Sequence, residues 1–147
     1  PVVRHHIGVP TVPEVTPQVA LVTASLGDDG RLLRAVGTLG YNGLVIEATG
    51  GGHVPRAMVE PLADLARNMP VVLTSRTGAG ELLRSTYGFP GSETDLLDRG
   101  LIHGGILDGL KARLLLMLLL RAQADRETVT AAFDAIGVPG SRPGFRC

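Results

Sequence analysis

Two residues of this sequence stand where their side chains could act on a ligand. His53 ends the run Thr49-Gly50-Gly51-Gly52-His53, and Glu93 stands within Gly91-Ser92-Glu93-Thr94-Asp95. A histidine near neutral pH offers a donor or a base, and a carboxylate offers an acceptor or a partner for an ammonium group. The three glycines would let backbone N–H groups approach an anion, and the helix opened by Pro55 would add a partial positive charge. The same glycines equally suit a tight strand-to-helix turn that needs positive φ, and the sequence leaves both readings open. Glu93 also has an ordinary explanation, in which Ser92 or Thr94 caps a short turn whose first residues favour acidic side chains. Arg76 and Tyr87 are either ligand contacts or loop staples.

Larger constellations fail. The glycine run offers G-x-G, but Pro55 stands where a dinucleotide fingerprint needs its third glycine, and there is no Walker lysine. G-x-S-x-G is absent, and no Ser or Asp at a recognisable spacing makes a triad with His53. That leaves His53 as a polar group lining a site. His5 and His6 fall in a proline-rich segment, His103 is too distant along the chain to be paired by spacing, and the single cysteine, Cys147, is the last residue. Neither a metal site, an intrachain disulfide nor a cofactor is expected.

The elements that must position these residues alternate between strand and helix. Gln18–Ala24 has the length and Val/Leu content of a core strand, ended by Gly27-Asp28-Asp29-Gly30. Leu32, Leu33, Val36 and Leu39 share one helical face, closed by Gly40. Within Gly43–Pro55, Leu44–Ile46 forms a second strand, and helical spacing then runs from Met58 to Met69, with Pro61 expected to kink that helix or delay its regular start. Val71–Thr74 is a third strand. The segment 75–92, rich in Gly, Ser and Thr, is longer than most connections, a length typical of functional loops. Leu101–His103 is a short fourth strand. A helix capped by Asp108 follows through Ala122, apolar on nearly every side, so that a second domain or subunit is expected to cover part of it. The last helix starts at the Asp125 cap and is expected to place Gly137 in the C′ position. This order predicts an α/β fold: a three-layer α/β/α domain with a parallel sheet of about four strands, Rossmann-like, whose carboxyl edge gathers residues 49–53, 75–92 and 103–105.

Composition excludes several partners. The 147 residues are 44% apolar, with 14 basic and 14 acidic side chains and no run of like charge, so neither nucleic acid nor a membrane surface is indicated. The longest apolar run, Leu114–Leu120, is seven residues, against the roughly 20 that span a bilayer. A soluble, cytoplasmic protein is expected. Pro1 reads as the start of a fragment or a processed product.

Five segments in one order, G-L-V-I-E-A-T-G-G-G-H-V-P, M-P-V-V-L-T-S-R-T-G-A-G, Y-G-F-P-G-S-E-T-D-L, G-L-I-H-G-G-I-L and L-K-A-R-L-L-L, resemble the C-terminal domain of the bacterial-type L-asparaginase/glutaminase family. The resemblance covers roughly residues 18–136 and implies a Pro-rich interdomain linker over 1–17, the α/β domain over 18–137 and a tail over 138–147. In that family the N-terminal domain carries the threonine nucleophiles, in T-G-G-T-I and G-T-D-T motifs, and neither motif occurs here. Thr49 only mimics the first. The resemblance implies that Glu93 helps to hold the α-amino group of L-asparagine, L-glutamine or L-aspartate. It places His53 where many members have an asparagine that reaches toward the site. It also implies a homo-oligomer, or association with an N-terminal domain, and an isolated chain that is inactive. The alternative is a free-standing α/β module that binds an amino acid or an anion.

Overall fold

The computed structural model describes residues 16–78 and 80–137. The expected tail falls wholly outside these residues, and so does the expected linker apart from its last two positions. The elements are β1 (Val19–Thr23), α1 (Arg31–Thr38), β2 (Gly43–Ala48), α2 (Arg56–Asn68), β3 (Val71–Ser75), α3 (Glu93–Asp98), β4 (Ile102–His103), α4 (Gly109–Arg121) and α5 (Arg126–Gly137). The four strands form one parallel sheet in the order β1-β2-β3-β4.

Side chains alternate across the sheet, and that alternation builds two cores. Ala20, Val22, Leu44, Ile46, Val71 and Leu73 face α1, α2 and α3, where they meet Leu33, Met58, Leu62 and Leu96. Val19, Val45, Val72 and Ile102 face α4 and α5, where they meet Ala112, Leu116, Val129 and Phe133. The architecture is the three-layer α/β/α arrangement expected from the sequence. Each of the first three crossovers runs over the same face and the strand order never reverses. Among the described residues the crevice that forms where a doubly wound sheet changes direction is therefore missing, and the loops above the carboxyl ends are left to make a site.

Local differences from the sequence reading have physical causes. The second strand extends beyond Leu44–Ile46 to Gly43 and Ala48 because neighbours on both sides keep it in register, Glu47 opposite Thr23 and Thr74. Pro61 does not delay α2, which begins directly after Pro55 and continues through the proline. Asp125 caps α5 as expected, accepting from the Thr128 N–H at 2.8 Å, but the helix includes Gly137 instead of ending before it.

On α4 the apolar residues divide. Leu116 is fully buried against the sheet, whereas Leu110, Leu114 and Leu118, four residues apart on one face, are 71%, 52% and 51% exposed. Leu116→Ala is expected to cost about 2–5 kcal/mol, and Leu114→Ala less than about 1 kcal/mol. Denaturant unfolding of the two variants checks which face of α4 meets the sheet.

Candidate functional site

The glycine run after β2 closes on itself. Thr49 and His53 form an antiparallel bridge, with the Thr49 N–H donating to the His53 carbonyl at 2.8 Å and the His53 N–H to the Thr49 carbonyl at 2.9 Å. The Gly52 N–H also donates to the Thr49 carbonyl, at 3.1 Å. Three backbone N–H groups of this run, Thr49, Gly52 and His53, therefore already serve the turn and are not free for an anion. The Thr49 hydroxyl donates to the His53 carbonyl at 2.9 Å, an arrangement that holds the turn and prepares no nucleophile. Gly52 has φ +120°, and an added Cβ would stand 2.8 Å from Leu82 Cδ1 and 3.1 Å from Glu93 Cβ. Both the conformation and the close approach require glycine there.

The turn delivers His53 to Glu93, forty residues away in sequence. His53 Nε2 lies 3.2 Å from Glu93 Oε2. The other carboxylate oxygen, Oε1, accepts the backbone N–H groups of Thr86 and Tyr87 at 2.7 and 2.8 Å. Glu93 is inaccessible to solvent, while the His53 side chain remains 26% exposed. Tyr87 and Phe89 stand edge-on to the imidazole, with ring centroids 5.1 and 5.0 Å away, and both are half-exposed. Burial by itself raises the Glu93 carboxyl, but the Tyr87 and Thr86 N–H groups, with its own N–H and the His53 ring, outweigh it and hold the group below the usual carboxylate range. The result is a preset, ionised carboxylate under a thin cover, with a histidine between it and solvent.

The long connection that supplies those two N–H groups is fixed at several points. Ser92 N-caps α3, its hydroxyl accepting from the Asp95 N–H, and the same hydroxyl donates to the Tyr87 carbonyl at 2.8 Å. Asp95 accepts the Gly91 N–H and pairs with Arg99, both at 2.8 Å. Burial opposes the ionisation of Asp95, yet the Arg99 guanidinium and the Gly91 N–H hold its carboxyl low. Leu83 donates its N–H to the Gly51 carbonyl at 3.0 Å, and Leu82 is buried in the core. Arg76 turns out to be a staple, donating to the Ala24 carbonyl at 3.2 Å. Tyr87 divides its roles, its backbone on Glu93 and its ring on His53.

Sequence reasoning brought Glu93 and His53 to one site only through the family resemblance; it gave Asp95 no role, and it placed His103 at the same edge without a partner. The S-x-x-D spacing of Ser92 and Asp95 was the available signal for the first. For His103 there was none, since its partner is the backbone carbonyl of Leu82. Among the described residues no group of three or more His, Cys, Asp or Glu side chains is placed to hold a metal ion.

Comparison with known proteins finds L-asparaginases and, beside them, D subunits of glutamyl-tRNA(Gln) amidotransferases. The family model described as the glutaminase/asparaginase C-terminal domain matches residues 18–133. A "Probable L-asparaginase" of Deinococcus radiodurans is 41% identical over 92 residues, which are 63% of this chain and 28% of that protein. An "L-asparaginase" of Bacillus licheniformis is 36% identical over 105 residues, 71% of this chain and 32% of that one. Among solved structures, a "Probable Cytoplasmic L-asparaginase" of Campylobacter jejuni superimposes with a TM-score of 0.67 at 27% identity, covering 80% of this chain and 34% of that chain. The chain thus spans about a third of the length of these relatives.

The ionised Glu93 should contribute stability above the ordinary glutamate value of 4.5, a contribution lost as pH falls through its lower folded value. Glu93→Gln is expected to cost about 1–3 kcal/mol at pH 7 and progressively less below about pH 4.5. Denaturant unfolding of both proteins across pH 7 to 3 checks this, and a gap that stays constant with pH would count against an ionised Glu93.

Proposed function

Since this chain belongs to the glutaminase/asparaginase family as its C-terminal domain, we propose that it forms the substrate-recognition wall of an L-asparaginase-type amidohydrolase, with the threonine nucleophiles supplied from outside these 147 residues. The observation that carries the reading is the preset carboxylate of Glu93, whose Oε1 is filled by two backbone donors and whose Oε2 is shared with a side chain that reaches the surface. An α-ammonium group arriving at Oε2 would replace one N–H donor with another, so the buried oxygen would never be left unpaired. Discrimination follows from the same fact, because a ligand without the ammonium would displace His53 and offer nothing in return. His53 is then the gatekeeper of the carboxylate and the part of the wall that meets the rest of the substrate.

The reaction of such an enzyme is acyl transfer from the side-chain amide to a threonine, release of ammonia, and hydrolysis of the ester to L-aspartate or L-glutamate. In this reading Glu93 and His53 position the substrate and break no bond. The exposed Leu110, Leu114 and Leu118 support association with a second copy or with an N-terminal domain, since a row of leucines at four-residue spacing matches the apolar stripe of a packed helix. Among the described residues no helix is long and apolar enough to cross a membrane. We infer a cytoplasmic location, in keeping with the Campylobacter relative, which is named a probable cytoplasmic L-asparaginase.

Ammonia release from asparagine or glutamine by this chain alone is expected at the level of a buffer blank, and turnover above it would overturn the reading. Calorimetry with L-aspartate, L-asparagine and phosphate should show no micromolar binding, because half the contacts are missing. Micromolar binding would instead mark a free-standing amino-acid or anion-binding module. Joined to the N-terminal domain of the Deinococcus relative, the chain should turn over asparagine. There Glu93→Gln should raise KM by about tenfold or more, the loss of one charged hydrogen bond.

A further inference from the structure

We propose that α4 is a self-association face, on which two copies of this chain pack their exposed leucine rows antiparallel about a twofold axis at Leu114. Leu110, Leu114 and Leu118 are 71%, 52% and 51% exposed, and one further step of four reaches Ile106, 58% exposed, just ahead of the helix. Residues four apart stack along one face, so the three leucines form a single ridge of the kind that seats in the groove of a second helix. Between Lys111 and Arg121 the only charged residue is Arg113, and its Nε–H is turned back onto the Val19 carbonyl at 2.8 Å. The ridge is therefore apolar along its length, a surface that water favours covering.

The pattern of the row selects a second copy as the occupant. It reads the same in both directions about Leu114, so an antiparallel copy sets Leu110 against the partner's Leu118 and Leu114 against the partner's Leu114. Charge follows the same symmetry. Arg121, at the end of α4, joins none of the ion pairs among the described residues, and its Nε has no hydrogen-bond partner. At the other end stands Asp108, which caps the helix through the Lys111 N–H, pairs with the Lys111 ammonium at 2.7 Å and keeps a side chain 38% exposed. Glu47 Oε1 lies against Gly109 in the first turn, so the N-terminal end of α4 carries two carboxylates.

Helix geometry brings these ends together. At 1.5 Å per residue, Arg121 lies about 10 Å to one side of Leu114 and Asp108 about 9 Å to the other. An antiparallel pair thus presents the guanidinium of each copy to the acidic end of its partner. A parallel pair would stack Arg121 on Arg121 and Lys111 on Lys111, and like charges facing one another oppose it. A seam of one helix per copy is narrower than a standard interface, so the dimer is reversible and its population depends on concentration. The costs expected for Leu116→Ala and Leu114→Ala accordingly refer to the dilute, dissociated chain. The proposal narrows the two occupants named for this face to one, and it does not rest on the role of Glu93.

Sedimentation equilibrium of this chain from micromolar to near-millimolar concentration should show the mass rising from one chain toward two. Leu114→Glu, which sets two carboxylates together on the axis, should raise the dissociation constant by about thirtyfold or more, the loss of a central contact. Arg121→Glu, which turns a like charge toward Asp108, should raise it by about tenfold. Leu32→Glu on α1, where the leucine is 54% exposed and off the seam, should leave it unchanged. In a Cys147→Ser background, an equimolar mixture of Leu110→Cys and Leu118→Cys chains should oxidise to disulfide-linked dimers faster than either chain alone. A chain that stays monomeric would overturn the proposal and leave the row to an N-terminal domain. A dimer indifferent to Leu114→Glu or to Arg121→Glu, or either cysteine chain cross-linking alone as fast as the mixture, would overturn it as well. If Leu114→Glu does not fold, the concentration series and the mixed cross-link decide. Neither measurement involves a ligand, so the outcome is separate from whether Glu93 recognises an ammonium group.

Discussion

A buried carboxylate has to be answered by donors, and in this domain that requirement organises the carboxyl edge of the sheet. Removing an ionised group from water costs several kcal/mol unless its lone pairs are filled. Glu93 obtains two donors from the backbone of the long connection and a third from the imidazole that the glycine turn presents. Each source must itself be fixed. Ser92 and Asp95 hold the connection near Glu93, while Leu82 and Leu83 hold its middle to the glycine turn and to the turn after β4. A loop of this length has few intrinsic restraints, so these bonds, and not local propensity, give it a shape.

The glycines serve that arrangement and have no separate chemistry. Thr49 and His53 close the turn by mutual backbone bonds, and Gly52 takes a conformation that brings the chain against Leu82 and the Glu93 side chain at once. A Cβ at that position would press on the Leu82 and Glu93 side chains and hold a φ that only glycine takes readily. A turn that could have cradled an anion is thus a hinge of contact between two loops, and its functional consequence is the placement of one imidazole.

Beneath the loops, the sheet is wound in one direction, with α1, α2 and α3 on one face and α4 and α5 on the other. Among the described residues this topology provides no crevice of its own. It leaves a shallow, half-open wall made of Tyr87, Phe89 and His53 above Glu93, and a row of leucines on α4 that the described residues do not cover. In the reading proposed above a larger assembly would complete both, and the chain spans about a third of the length of its relatives.

The sequence by itself determined the element order, the parallel three-layer architecture and the family. Alternating apolar runs, Gly and Pro punctuation and five ordered segments are local signals that survive without coordinates. It also marked Glu93 and His53, though only through the resemblance, because an acidic residue after Ser92 looks like any first turn of a helix. Tertiary structure alone decided that Glu93 is inaccessible, that Oε1 belongs to Thr86 and Tyr87, and that His103, which spacing could not pair with anything, grips the Leu82 carbonyl. The physical reason is the same in each case. Backbone N–H and C=O groups are identical at every position of a sequence, so a site whose charge is balanced by backbone donors leaves no signature in residue types until the chain is folded around it.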